Sequence, residues 1–178
     1  MTTLSRKDLA NPASRMRRGF TLVEILIVVI ILGILAAIVI PQFSSAAQSA
    51  RETTLKDLTR NLRMQMMAYK SQHRDTSPGI GDGASAATES DFVAQMTTYS
   101  NEDGVTTATA DAQHTYGPYL AKMPVNPLNN FGTVKVVSGT SSMPSADNTT
   151  GWMYQADTMT LVPNSTGLDE AGVAYTSY

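Results

Sequence analysis

Glu24 is the one strongly polar side chain in residues 20–40, a run of 21 otherwise apolar positions. A carboxylate in that setting has two uses. Thr21-Leu22-Val23-Glu24 has the spacing of a capping box, in which Glu24 and Thr21 exchange hydrogen bonds at a helix start. An acid in the first turn also suits the helix dipole. Alternatively, a carboxylate in lipid costs about 2.5–3.5 kcal/mol on insertion scales and should seek a cation. No Lys or Arg lies between residues 20 and 40. Cleavage between Gly19 and Phe20 would create such a cation, a new amine about 6 Å from Glu24 along the axis of its own helix. A neighbouring copy could present its amine directly, making Glu24 a register device between identical helices. On residue physics alone both uses stay open.

Other chemistry is poorly supplied. The chain has no cysteine, which excludes disulfides and thiolates. His73 and His114 lie far apart in polar context and read as solvated residues, without the neighbours of a metal site. The adjacent acids Glu102-Asp103 and Asp169-Glu170 sit in loop-like stretches, where carboxylates stay solvated and unshifted. No nucleophile set is apparent, so no catalytic residue is assigned and the chain reads as a non-enzyme. The glycines of residues 77–83 lack the G-K-[ST] of a phosphate loop and mark a turn.

Residues 20–40 would span roughly 31 Å as a helix, the thickness of a hydrocarbon core. Arg15, Arg17 and Arg18 precede the run and place the N-terminus in the cytoplasm. A secretory signal peptide is a poorer fit, because its apolar region is shorter and carries no charge. A plain signal anchor would need no glutamate. The net charge of −2 is unevenly spread: residues 51–74 carry six basic and two acidic side chains, and residues 75–178 carry two lysines against eleven acids. That distribution argues against nucleic-acid binding.

Arg18-Gly19-Phe20-Thr21-Leu22-Val23-Glu24 closely resembles the prepilin peptidase site of the type IV pilin-like family, which includes type II secretion pseudopilins. The resemblance is strong from Arg17 to about Gln42. It implies cleavage after Gly19 by prepilin peptidase, N-methylation of Phe20, and pairing of Glu24 with the Phe20 amine of another subunit. Gly33 and Pro41 fall where such pilins carry helix-weakening residues, and the stretch between them can unwind in the filament. Both are also common in membrane helices without that purpose. The implied partners are prepilin peptidase, identical and minor pilin-like subunits, and an inner-membrane assembly platform. The implied location is the bacterial inner membrane, single pass, with the C-terminal domain periplasmic and the subunit later extracted into a filament.

The expected fold is α+β: a long N-terminal helix packed on a small antiparallel sheet. The expected organisation is a leader (1–19), a transmembrane helix half (20–40), an amphipathic extension (41–74) and a small globular domain (75–178). The helix would run to Gln72 or His73, roughly 80 Å, with Phe43, Ala47, Ala50, Leu58, Leu62, Met66 and Tyr69 as its apolar stripe and Thr54 filling a gap. Met64, Met66 and Met67 read as core filling. The basic side chains Arg51, Arg60, Arg63, Lys70 and Arg74 form a solvated face or one that meets acids of the next subunit.

Thr88 caps a short helix to about Tyr99, with Phe92, Met96 and Tyr99 on one face. Residues 101–113 are loop, residues 133–137 a strand, and residues 151–154 and 158–162 a hairpin. The stretches around Tyr119-Leu120 to Asn129 and Gly151-Trp152-Met153-Tyr154 resemble major pseudopilins more weakly. Those proteins bind calcium in a C-terminal loop. Asp147, Asn148, Asp157, Asp169 and Glu170 lack compact ligand spacing, so no cofactor or metal site is assigned and the acids read as surface groups. The tail from Asn164 reads as partly disordered.

The leading function is a structural subunit of a periplasmic secretion pseudopilus. The alternative is a type IV pilus subunit for adhesion, motility or DNA uptake, a class that often closes a C-terminal disulfide this chain cannot form. A membrane-anchored enzyme or binding domain is a third reading without a residue set behind it. Gly19→Val is expected to block maturation; mass spectrometry of the membrane fraction should then find the full-length chain beginning at Met1.

Overall fold

The computed structural model describes residues 19–81, 84, 86–139 and 142–178; the basic leader and its arginines lie outside them. The elements are α1 (Leu22–Gln72), α2 (Glu89–Thr97), β1 (Tyr99–Ser100), β2 (Thr106–Thr107), β3 (Val134–Val137), β4 (Trp152–Gln155) and β5 (Thr160–Pro163), with a 3-10 turn at Tyr175–Ser177. The fold class is α+β, as the sequence implies. The chain divides into two units, one ending at Phe43 and the other running from Ser44 to Tyr178.

In the first unit, every large apolar residue from Phe20 to Phe43 is exposed, at 43–81%. Helix α1 passes through Gly33 and Pro41 without a break. Branched Ile and Val are mediocre helix formers in water. In lipid the helix satisfies its backbone polar groups internally, so the conformation suits a membrane rather than an aqueous core.

In the second unit, α1 buries Glu52, Leu55, Thr59, Leu62, Met66 and Tyr69. Their alternating three- and four-residue steps define one helix face. This corrects the expected stripe. Leu62, Met66 and Tyr69 belong to it, but Phe43, Ala50 and Thr54 are exposed and Leu58 is only half-buried. The face was obscured because two of its members are polar. Thr59 satisfies itself by donating to the Leu55 carbonyl at 2.7 Å, and Glu52 is satisfied by distant residues. Of the three methionines read as core, only Met66 is buried; Met64 and Met67 are exposed.

Thr88 is the N-cap of α2, its hydroxyl accepting from the Asp91 N–H. The helix buries Phe92 and Met96, but it stops at Thr97, and Tyr99 belongs to β1. β1 pairs antiparallel with β2, which lies inside the stretch read as loop. The main sheet has the order β3-β4-β5, with all four residues of β4 buried. β4 and β5 form the expected antiparallel hairpin, Gln155 opposite Thr160.

β3, however, runs parallel to β4, Val134 opposite Trp152, so the sheet is mixed rather than wholly antiparallel. A parallel neighbour needs a crossover of about a dozen residues or more, and residues 138–151 provide it. Trp152 anchors the strand from both sides of its backbone. Its indole N–H donates to the Pro124 carbonyl at 2.9 Å, while a Cβ at Gly151 would lie 2.1 Å from the Phe131 carbonyl oxygen. Only glycine allows that approach.

The core joins Tyr69, Phe92, Tyr154, Trp152 and Leu62 with Leu161 of β5. Phe92 and Tyr154 meet with ring centroids 4.5 Å apart and planes tilted by 41°. The tail is not disordered, contrary to the expectation: Asn164, Ser165, Asp169 and Tyr175 are all buried. Asn126 donates to both the Gly151 carbonyl and the Ser165 hydroxyl, tying the proline-rich connector to that tail. Truncating Leu62 to Ala should destabilise the second unit by about 2–5 kcal/mol, read by denaturant unfolding of the full chain in detergent.

Candidate functional site

Gly19, Phe20 and Thr21 precede α1, and Glu24 lies in its first turn. The Glu24 N–H donates to the Thr21 hydroxyl at 3.1 Å, and the Thr21 N–H donates to Glu24 Oε2 at 3.5 Å. The capping box therefore forms within a single chain, its second bond long. A carboxylate accepts about four hydrogen bonds, so this cap is compatible with a cation brought by a neighbour. Phe20 is 78% exposed, and among the described residues nothing stands within 4 Å of a Cβ built on Gly19. Gly33 likewise has open space around it, and Pro41 sits within continuous helix. Neither is brought to the Glu24 turn.

His73 corrects the solvated reading, for it is buried at the end of α1. Its ring stacks on Tyr69 with centroids 3.7 Å apart. Nδ1 lies 2.7 Å from the Tyr69 carbonyl and must donate to it, which leaves Nε2 to accept from the Ser100 hydroxyl at 2.9 Å. Burial lowers its pKa despite the hydrogen bonds to its backbone neighbours. It is a neutral clamp between α1 and β1. His114 pairs with Asp111 at 2.8 Å.

Of the C-terminal residues read as surface groups, Asp147, Asn148, Asp157 and Glu170 are exposed as expected, and one departs from that reading. Asp169 is buried. Its Oδ2 accepts from Lys56 Nζ at 3.1 Å and from the Tyr178 hydroxyl at 2.7 Å. Its Oδ1 accepts the N–H groups of Ala171 and Val173. The Tyr178 hydroxyl, the Val173 N–H and Lys56 together hold the Asp169 pKa down to about 2. Lys56 also lies over the Tyr178 ring, 4.4 Å from its centroid. Beside this pair, burial pushes the Glu52 carboxyl up, but Gln48, Tyr175 and the Glu170 N–H outweigh it and hold its pKa below normal. Tyr175 donates to Glu52 Oε1 at 2.9 Å.

This set does not fit calcium. A calcium site needs six to eight oxygen ligands with lone pairs to spare. Both oxygens of Asp169 already face four protein donors, one of them an ammonium. Asp147 is similarly engaged by Lys135 at 2.7 Å, Thr149 and Asn164, which hold its pKa well below the carboxylate range. Among the described residues no three His, Cys, Asp or Glu side chains cluster as a metal group. The latch was hidden in the sequence because Lys56 and Asp169 are 113 positions apart.

The family described as "Prokaryotic N-terminal methylation motif" matches residues 14–40. The chain is 33% identical over 116 residues to the type II secretion system core protein G of Pseudomonas aeruginosa, covering 65% of this chain and 71% of that protein. It is 37% identical over 71 residues to the core protein G of Dickeya chrysanthemi, covering 38% of this chain and 46% of the relative. It is 35% identical over 65 residues to the competence protein ComGC of Bacillus subtilis, covering 36% and 66%. No solved structure matches the chain.

Asp169 and Glu52 both have lowered pKa values when folded, so the unfolded chain binds more protons in acid. Their contribution to stability is present above the ordinary carboxylate pKa of about 4. It should fade as pH falls toward about 2. Thermal melts of the full chain in detergent should show that loss, and Asp169→Asn should flatten it.

Proposed function

We propose that this chain, which belongs to the type II secretion system core protein G family, is a structural subunit of a secretion pseudopilus, polymerised through α1. The carrying observation is an apolar helix start with the methylation motif, joined to a chain that covers 71% of a core protein G. A subunit whose residues 20–43 expose nearly continuous apolar surface needs lipid while stored and other copies of the same helix once assembled. Its relatives are structural subunits, which accords with a non-enzyme. The match to ComGC covers 36% of the chain against 65% for the Pseudomonas aeruginosa core protein G, and that longer match supports secretion over a surface pilus or DNA uptake.

In this reading prepilin peptidase removes residues 1–19 in the cytoplasm and Phe20 receives the N-methyl group. The arginines hold the N-terminus inside and leave the second unit in the periplasm. Extraction brings the Phe20 amine of one subunit to Glu24 of another. The Thr21 cap supports this by orienting the carboxylate before the partner arrives. Gly33 and Pro41 supply the weak stretch where the helix can loosen during assembly, since Gly costs about 1 kcal/mol relative to Ala and Pro removes a hydrogen bond. Minor pilin-like subunits and the assembly platform complete the set of partners.

Glu24→Ala should leave leader removal intact, by mass spectrometry of the N-terminal peptide. Filament yield should drop about tenfold or more, because the amine loses its carboxylate partner. Normal filament counts by electron microscopy would instead assign Glu24 to capping alone.

A further inference from the structure

Two faces of the second unit are left over from its core and differ in character. On α1, Met64 and Met67 are 53% and 65% exposed. With Lys56, Arg60, Arg63 and Tyr178 they line a recess of about 370 Å³. Residues 60, 63, 64 and 67 recur at helical spacing on one side of α1, apart from the buried row. Exposed, adaptable methionines ringed by cations are a surface suited to a partner. Arg63 donates to the Leu161 carbonyl and to a backbone oxygen of Tyr178, which orient its guanidinium. Arg60 has Asp57 at 3.4 Å, but both side chains are exposed and the pair is screened.

On α2, Phe92, Gln95 and Met96 face the core. Glu89, Ser90, Val93 and Ala94 line the opposite, open side. Glu89 is exposed, and no described cation lies within ion-pair distance of it. It is the one acid lining this side, beside the half-buried Val93 and Ala94; Asp91 turns instead to the Thr88 cap.

We propose that the Arg60–Met64–Met67 face of one copy docks on the Glu89–Val93 face of the next. The occupant is a second copy of this chain, identified by charge: Lys56, Lys70 and Arg74 already pair within the chain, whereas Arg60 has only a screened partner and Glu89 no described cation beside it. A contact of the basic face with itself would set Arg60 and Arg63 against like charges, which disfavours a closed pair. Two different faces on one chain instead make a heterologous contact, which can repeat without closing. That is the symmetry a filament requires, and the inference rests on the filament reading above. Helix packing through residues 20–43 supplies cohesion; this second contact sets how successive periplasmic units are placed.

The absence of cysteine from the chain makes the test direct. Met67→Cys and Ser90→Cys are combined in the full-length protein, expressed with its secretion machinery and oxidised in the intact envelope. A ladder of dimers, trimers and larger species from the double variant, absent from either single variant, is the expected result. Adding Glu89→Lys should lower the ladder roughly tenfold, and Arg60→Glu should restore it. Dimers from Met67→Cys alone would overturn the contact in favour of a closed pair. Normal filaments without a ladder, or a ladder indifferent to both charge reversals, would overturn this contact and leave the pseudopilus reading standing. Failure of the unaltered chain to form filaments would overturn both.

Discussion

The structure depends on a helix surface that is exposed among the described residues. Residues 20–43 satisfy their backbone hydrogen bonds along the helix axis and turn almost every Ile, Leu and Val outward. Water is a poor solvent for such a surface, and a helix is one of the few backbone forms lipid accepts. Within lipid the hydrophobic effect no longer drives one helix toward another. Packing and polar pairing decide the arrangement. A solitary carboxylate is then informative in a way another leucine could not be. In the proposed filament it would make one register between neighbouring helices better than the rest, and the threonine at the helix start holds it in a defined position.

The second unit solves a different problem, that of a small domain with many polar groups in its interior. Gln95 accepts from the Gly79 N–H and donates to the Ile80 and Gly104 carbonyls, so one side chain ties three loop positions to α2. Asn126 does the same for the connector and the tail. His73 joins α1 to β1, and Glu52 with Asp169 binds the tail back to α1. A buried polar group left without a partner costs about 1–3 kcal/mol, so these networks reject alternative loop arrangements strongly. Lys56 contributes a fixed positive charge where the tail concentrates acids.

In the proposed filament the two units would divide the work of assembly by physical type. Contacts through the apolar helices would depend on shape and on one charge pair. Contacts among the second units would depend on complementary charge at a wet surface and should weaken with salt. Exposed Met64 and Met67 fit that second category, since reading them as core overlooked that Met66 alone faces inward on α1.

What the sequence determined by itself was local. Gly19, Phe20 and Glu24, the apolar span, the cap of α2 by Thr88 and the β4–β5 hairpin are each specified by neighbours a few positions apart. The α+β class followed from their order. Tertiary structure alone decided which face of α1 is buried, that β3 runs parallel to β4, that His73 is a neutral clamp, and that the tail is ordered. Each of these rests on groups far apart in the chain, such as Glu52 and Tyr175, separated by 123 positions. Periodicity sorts residues by polarity, so it assigns a glutamate or histidine to the surface. Only the folded chain brings the distant donor that makes burying it favourable.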